Sequence, residues 1–234
     1  MQGTNAAFRM DQQYRYQRYI YDLSRKYYLL GRDTLLKELR LPVDETLLEI
    51  GCGTACNLSK LAYRYPTAQL FGVDASALML ECAHKHLQNT PYQAAITLRQ
   101  GLAEQIRWQD FDLETAWDHV LFSYVLSMLP DWQLALEHAL NQLKPQGCLH
   151  IVDFSDQAQM PTWFRQGLLK WLGWFNVYPQ AHLLTQLEFL AAKHNADLQI
   201  KHLRGRYAFI AHYRKREPLN TQAKLPDLAS YLDL

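Results

Sequence analysis

The sequence predicts an α/β fold: a mainly parallel β-sheet with helices on both faces. Three observations carry this. Apolar runs of strand length alternate with stretches of helical period between residues 46 and 154, a glycine turn closes the first of those runs, and two strand-like runs near the carboxyl terminus are separated only by Arg204-Gly205. Strands that alternate with helices need crossover connections, which set neighbouring strands parallel. The short break between the last two runs reads instead as a hairpin, and so as an antiparallel strand at the sheet edge.

Taken in order, the first strand is 46–50, it ends in Gly51-Cys52-Gly53, and residues 57–64 then keep helical spacing up to Pro66. A second strand, 69–73, ends at Asp74, after which Ser76 is placed to cap a helix running to about residue 87. The unit repeats as strands near 95–100 and at 118–123, a helix over 131–143, and a strand over 148–154 preceded by the turn Lys144-Pro145-Gln146-Gly147. Aromatic-rich helices follow at 161–175 and 181–194, then the hairpin strands 197–203 and 206–213. From Arg214 onward the chain is polar and broken by Pro218 and Pro226, which reads as a tail. The expected division is an N-terminal helical segment (1–40), a main domain (41–213) with a helical insertion (156–195), and the tail (214–234).

A chain of 234 residues suffices for one such domain with additions. Its 24 basic and 23 acidic residues create no field that would draw a polyanion, so nucleic acid is not an expected partner. Cys52, Cys56, Cys82 and Cys148 form no CxxC pair and have no clustered histidine in the sequence; neither a disulfide framework nor a metal site is expected, and a reducing cytoplasm fits. No signal-peptide pattern opens the chain, and no apolar run approaches the ~20 residues of a spanning helix. The expected location is cytoplasmic, with any membrane contact local and peripheral on the inner face.

The segment with the most chemistry is Leu48-Glu49-Ile50-Gly51-Cys52-Gly53-Thr54-Ala55. Glycines at 51 and 53 let the backbone turn sharply and approach a ligand more closely than a Cβ permits. Asp74, 21 residues after Gly53, is placed to accept hydrogen bonds from two ribose hydroxyls, and equally to cap the helix that follows it. A pyrophosphate-binding GxGxxG loop would want glycine at 56, where this chain has Cys56. Glu49 would repel a pyrophosphate but favours a sulfonium compound that carries an ammonium group. This charge logic points to S-adenosyl-L-methionine.

An acidic residue followed by such a loop resembles the motif of the class I S-adenosylmethionine-dependent methyltransferases, although the motif's later glycine is absent. The resemblance implies a Rossmann-like, mainly parallel seven-stranded sheet with a terminal antiparallel hairpin. It implies cofactor contacts from Glu49, Gly51, Cys52, Gly53, Asp74 and Ala75. Gly101-Leu102-Ala103-Glu104 resembles the family's adenine-binding turn, with Leu102 where an aspartate is usual, so the backbone of Leu102 and Ala103 would read the base. Ser123-Tyr124-Val125-Leu126 stands where the family floors the methionine part; Tyr124 reads equally as packing.

Six of the fourteen tyrosines lie between residues 14 and 28. In helical projection Tyr16, Ile20, Leu23, Tyr27 and Leu30 form one stripe, while Tyr14, Arg18, Tyr21, Arg25 and Tyr28 form another, alternating aromatic rings with guanidinium groups. The run from Tyr14 to Asp33, with Ser123-Tyr124-Val125-Leu126-Ser127-Met128-Leu129-Pro130, His150-Ile151-Val152-Asp153-Phe154 and Trp163-Phe164-Arg165, resembles the methyltransferases that convert diacylglyceryl-homoserine to the betaine lipid diacylglyceryl-N,N,N-trimethylhomoserine. The second stripe suits a helical lid over residues 1–40 that closes over a cationic donor and an acidic acceptor, and the resemblance implies an amino-lipid substrate, with the enzyme that makes diacylglyceryl-homoserine as a candidate partner.

The chemistry would then ask for three kinds of group. Tyr14, Tyr21 and Tyr28 would face the growing cation, at about 0.5–2 kcal/mol per ring. Arg18, Arg25 and Arg32 would grip carboxylates, either the head group's or the cofactor's own. Asp22, His150 and Asp153 are the candidate bases for the departing proton, His150 reading also as a plain strand residue. Trp163, Gly167, Trp171, Trp174 and Tyr178 fall on one helical face flanked by Arg165 and Lys170, which suits a membrane interface or, alternatively, a core or dimer contact. Other acceptors compatible with these features are phosphatidylethanolamine and a soluble small amine. A reading of another class is a non-catalytic partner subunit that only binds the cofactor.

Overall fold

The computed structural model describes residues 29–217. After a helix α1 (Arg32–Glu38), the chain runs β1 (Thr46–Ile50), α2 (Cys56–Arg64), β2 (Gln69–Asp74), α3 (Ala77–Leu87), β3 (Ile96–Gln100), β4 (Trp117–Ser123), α4 (Trp132–Asn141) and β5 (Leu143–Phe154). It closes with α5 (Thr162–Gly173), α6 (Leu183–Lys193), β6 (Asp197–Leu203) and β7 (Ala208–Arg214). The seven strands form one sheet in the order β3-β2-β1-β4-β5-β7-β6. The first five are mutually parallel, and β7 lies antiparallel to both β5 and β6. The Rossmann-like class I methyltransferase topology expected from the sequence is therefore present.

Alternation along the strands builds the two layers. Successive side chains point to opposite faces, so Leu47, Leu121, Val152 and Ile210 join one buried cluster, and their chain neighbours Leu48, Phe122, Ile151 and Phe209 join the other. All five residues of β1 are buried, as a central parallel strand covered on both sides requires. Ser76 caps α3 as its position predicts, its hydroxyl accepting from Met79 N at 3.3 Å.

Two expectations need correction. Lys144-Pro145-Gln146-Gly147 is not a turn ahead of the fifth strand but an irregularity inside β5, which already pairs with Trp117 through Leu143. Gln146 there adopts φ 64, and a Cβ on Gly147 would stand 2.9 Å from Lys144 O. The final strand extends through Arg214, and Lys215 Nζ donates to Leu140 O and Leu143 O at 3.2 and 3.0 Å, so the chain is tied down beyond the expected start of the tail. At the other end, α1 packs on the sheet with Leu35 and Leu36 buried. Gly31, at φ 87, lies so close to β6 that a Cβ would stand 2.2 Å from Leu203 Cδ1.

Because β2 and β3 lie on one side of β1 while β4 lies on the other, the order reverses between β1 and β4. In open α/β sheets such a switch point leaves a crevice at the carboxyl ends of the strands. No helix among the described residues is long and apolar enough to cross a membrane.

Candidate cofactor site

The crevice is shaped by the glycine turn. Gly51 sits at φ 69, and a Cβ on it would lie 2.3 Å from Val125 Cγ2. A side chain there would thus collide with the loop after β4, besides being strained. Gly51 N and Cys52 N both donate to Val73 O, at 2.8 and 3.0 Å, which folds the turn back onto the end of β2. Asp74 then holds it: its Oδ2 accepts from Gly53 N at 2.8 Å and its Oδ1 from Ser76 N at 2.9 Å. One carboxylate thus fixes both the glycine loop and the start of the next helix while lining the cavity.

That cavity is lined by Gly51, Gly53, Asp74, Ala75, Leu102, Ala103 and Tyr124, seven of the expected cofactor residues. Tyr124 is buried at φ 59; its hydroxyl donates to Leu30 O at 2.5 Å and its ring meets Phe154 edge-on, centroids 4.7 Å apart. Packing and lining are both its roles. On the other side of the turn a second recess is lined by Arg32, Glu49, Cys52, Asn57 and Ser123, and Gly51 borders both spaces. Asn57 Nδ2 donates to Glu49 Oε1 at 2.6 Å. Ser123 Oγ is buried with no hydrogen-bond partner among the described residues.

This pair of recesses fits S-adenosyl-L-methionine. The first offers a carboxylate for ribose hydroxyls and apolar walls for a base; the second offers a guanidinium, a carboxylate and a hydroxyl without a partner among the described residues for an amino-acid end. Residues that local reading passed over include Asn57, which orients Glu49 from eight positions on, and Met128 and Leu129, which line the cavity beside the expected Val125. Asn57 was legible as a polar residue in the first turn of the following helix; Met128 and Leu129 were not, because they act by shape alone.

Asp153 does not line the cavity but supports it. Its Oδ1 accepts from Phe154 N at 2.7 Å and its Oδ2 from Ser127 N at 3.2 Å, which secures the 3-10 turn Leu126–Met128 beneath the site. Burial pushes its pKa up to about 6 against these hydrogen bonds, which favour the charged form.

His150 is not brought to the site. It stands four residues before Phe154, the carboxyl end of β5, and at ~3.3 Å per residue that is roughly 13 Å down the strand. There its Nε2 lies 2.9 Å from His119 Nδ1, and its Nδ1 lies 2.9 Å from His212 Nδ1. Burial, followed by the nearby His119, His212 and Arg214, pushes its pKa well below the ordinary imidazole value. The expectation that no cysteine has a histidine cluster is also corrected: ligand atoms of His119, Cys148 and His150 lie within 4.8 Å of one another. Tyr14, Arg18, Tyr21, Asp22, Arg25 and Tyr28 fall outside the described residues.

Comparison with known proteins agrees with this geometry. Residues 42–196 match the family described as "Methyltransferase domain". A trans-aconitate 2-methyltransferase of Pseudomonas aeruginosa (strain UCBPP-PA14) is 35% identical over 130 residues, covering 55% of this chain and 40% of the relative. A demethylmenaquinone methyltransferase of Desulfitobacterium hafniense (strain Y51) is 33% identical over 132 residues, covering 56% and 49%. The chain thus spans less than half the length of these relatives. Among solved structures, a Haemonchus contortus phosphoethanolamine N-methyltransferase 2 in complex with S-adenosyl-L-methionine superposes with TM-score 0.60 at 15% identity, over 80% of this chain and 52% of that one. The YcgJ protein of Bacillus subtilis gives TM-score 0.61 at 16% identity, over 80% and 99%. These two likenesses concern the fold alone.

Proposed function

This chain belongs to the methyltransferase domain family, and from that premise we propose that it moves methyl groups from three successive molecules of S-adenosyl-L-methionine onto the amino group of diacylglyceryl-homoserine, yielding diacylglyceryl-N,N,N-trimethylhomoserine and three of S-adenosyl-L-homocysteine. The observation that carries the cofactor half is the Asp74 carboxylate, pinned between Gly53 N and Ser76 N at the cavity wall. Arg32, Glu49 and Ser123, across the turn, suit a carboxylate and an ammonium group.

When bound, the donor supplies an electrophilic methyl carbon. The residues have no covalent chemistry to perform: they hold the two reactants in line, with a neutral nitrogen about 3–3.5 Å from that carbon. Tyr14, Tyr21 and Tyr28 would surround the product cation, Arg18 and Arg25 would hold carboxylates, and Asp22 would take the proton. Supporting the lipid acceptor is α5, on which Trp163 is 75% exposed and after which Trp174 and Tyr178 are 67% and 58% exposed, beside Lys170. Such rings next to cations suit the head-group layer of a bilayer, and the proposed location is the cytoplasmic face of a membrane, near the enzyme that makes the substrate.

A second reading follows the relatives at 33–35% identity, an acceptor of the trans-aconitate or demethylmenaquinone kind. Methyl-labelled donor, incubated with protein and diacylglyceryl-homoserine in vesicles, separates them. Label in a phosphorus-free quaternary-ammonium lipid is expected. Label confined to the aqueous phase or to phospholipid would overturn the acceptor, and bound but unconsumed donor would favour a non-catalytic partner subunit.

A further inference from the structure

Below the cofactor crevice, on the sheet face that carries α1, three imidazoles and two carboxylates form a continuous chain, with Cys148 beside it. His119 on β4 pairs in register with Cys148 on β5; His150, two residues on, pairs with His212 on β7. His119 Nε2 lies 2.6 Å from Glu45 Oε2, His119 Nδ1 lies 2.9 Å from His150 Nε2, His150 Nδ1 lies 2.9 Å from His212 Nδ1, and His212 Nε2 lies 3.5 Å from Glu38 Oε2.

We propose that this cluster is a divalent transition-metal site of the zinc type, with His119 Nδ1, His150 Nε2 and Cys148 Sγ as ligands. The argument is one of proton accounting. Three neutral imidazoles carry three N–H groups, yet the chain has four contacts to fill. If His119 donates to Glu45, then His150 must donate to His119 and His212 to His150, and His212 Nε2 is left facing the Glu38 carboxylate with no hydrogen between them. A cation between His119 Nδ1 and His150 Nε2 removes the deficit. His119 still donates to Glu45, His150 turns its N–H toward His212, and His212 turns its own toward Glu38. Every contact is then filled with all three rings neutral.

Cys148 selects a metal ion over an extra proton at that position. Its sulfur lies with the two nitrogens inside a 4.8 Å circle, and two nitrogens with one thiolate are a donor set suited to zinc. On binding, the thiol proton leaves to solvent and a sulfur–metal bond forms. The two nitrogens need to part only to about 3.3 Å to sit on a tetrahedral ion at about 2.0–2.1 Å from each. Glu45 behind His119 is the carboxylate that so often orients a ligating imidazole. Arg214 Nε donates to Cys148 Sγ at 3.3 Å and would share the thiolate with the metal. The cluster lines a groove with Glu38, Gln199 and Lys201, which leaves the fourth coordination position to water.

The test is titration of the metal-depleted protein with Co²⁺, followed by absorption spectroscopy. One equivalent is expected to bind with a sulfur-to-cobalt charge-transfer band and tetrahedral d–d bands, and Zn²⁺ is expected to displace it. Cys148→Ser should lose the charge-transfer band while keeping its circular dichroism and its affinity for S-adenosyl-L-methionine. Glu45→Gln should bind about 10- to 100-fold more weakly. No uptake by the wild-type protein, or a spectrum unchanged in Cys148→Ser, would overturn the proposal.

Discussion

The two ends of the central strands are built from the same sheet by different means. At the carboxyl ends of β1 and β2 the site is a local turn, with Gly51 N bonded to Val73 O and Gly53 N to the Asp74 carboxylate. Lower down, the histidine chain has no local motif; it exists because β4, β5 and β7 set His119, Cys148, His150 and His212 side by side. Both ends also bury ionisable groups, and burial favours the neutral form of each: it raises Asp153 under the crevice and lowers His150 in the chain. The lesson is that a site made by a turn travels with its sequence, whereas a site made by register depends on how the strands are aligned.

The sharpest way to break the turn is Gly51→Ala, which adds a Cβ 2.3 Å from Val125 Cγ2 at a positive φ. Strain and overpacking together should cost about 2–4 kcal/mol. Denaturant unfolding would show that loss, and calorimetry a collapse of cofactor binding. The buried carboxyl of Asp153 should act through pH. Its rise from 3.8 to about 6 corresponds to about 3 kcal/mol of preference for the neutral form. Since the folded pKa is the higher one, that stabilisation is complete below pH 3.8 and is lost as pH rises through about 6. Carbon-detected NMR of the carboxyl, together with unfolding free energies across this window, checks both value and sign.

Asp74→Ala should weaken cofactor binding by roughly 1.5–3 kcal/mol, the usual worth of hydrogen bonds to a charged group, as read by calorimetry. The smallest effect probes the other end. His119→Ala, which removes contacts to Glu45 and His150, should lower stability by about 1–2 kcal/mol yet leave the cofactor Kd unchanged within about twofold. A change in Kd comparable to that of Asp74→Ala would dissolve the separation between the two ends.

The same contrast explains what the residues alone reveal. The strand, glycine turn and carboxylate were readable because they lie within 29 residues, from Thr46 to Asp74, and each leaves a local signature. The crevice floor was only half readable: the run from Ser123 to Leu126 was named, but nothing in it signals that Val125 is the side chain that forbids a Cβ at Gly51. The histidine cluster was hidden by the irregularity in β5. An unbroken ladder from the Trp117 and Leu143 pair would set Pro145 against His119, and three extra residues set Cys148 there instead. Lys144-Pro145-Gln146-Gly147 looked like a turn because Pro and Gly punctuate it, and spacing could not reveal that pairing resumes on both sides. His150 reads both as a base by its type and as a plain strand residue by its position, and the direction of β5, which sets it well down the strand from the crevice, selects the second.

One feature of the turn bears on speed. Ala55 holds φ 59 and is wholly enclosed at the entrance to α2, a posture that costs an alanine about 1–2 kcal/mol and that its surroundings must enforce. A segment clamped this way has few other shapes to visit while empty. Nucleoside capture should then proceed without a slow rearrangement of the loop, and tightness would be governed by how fast the guest escapes.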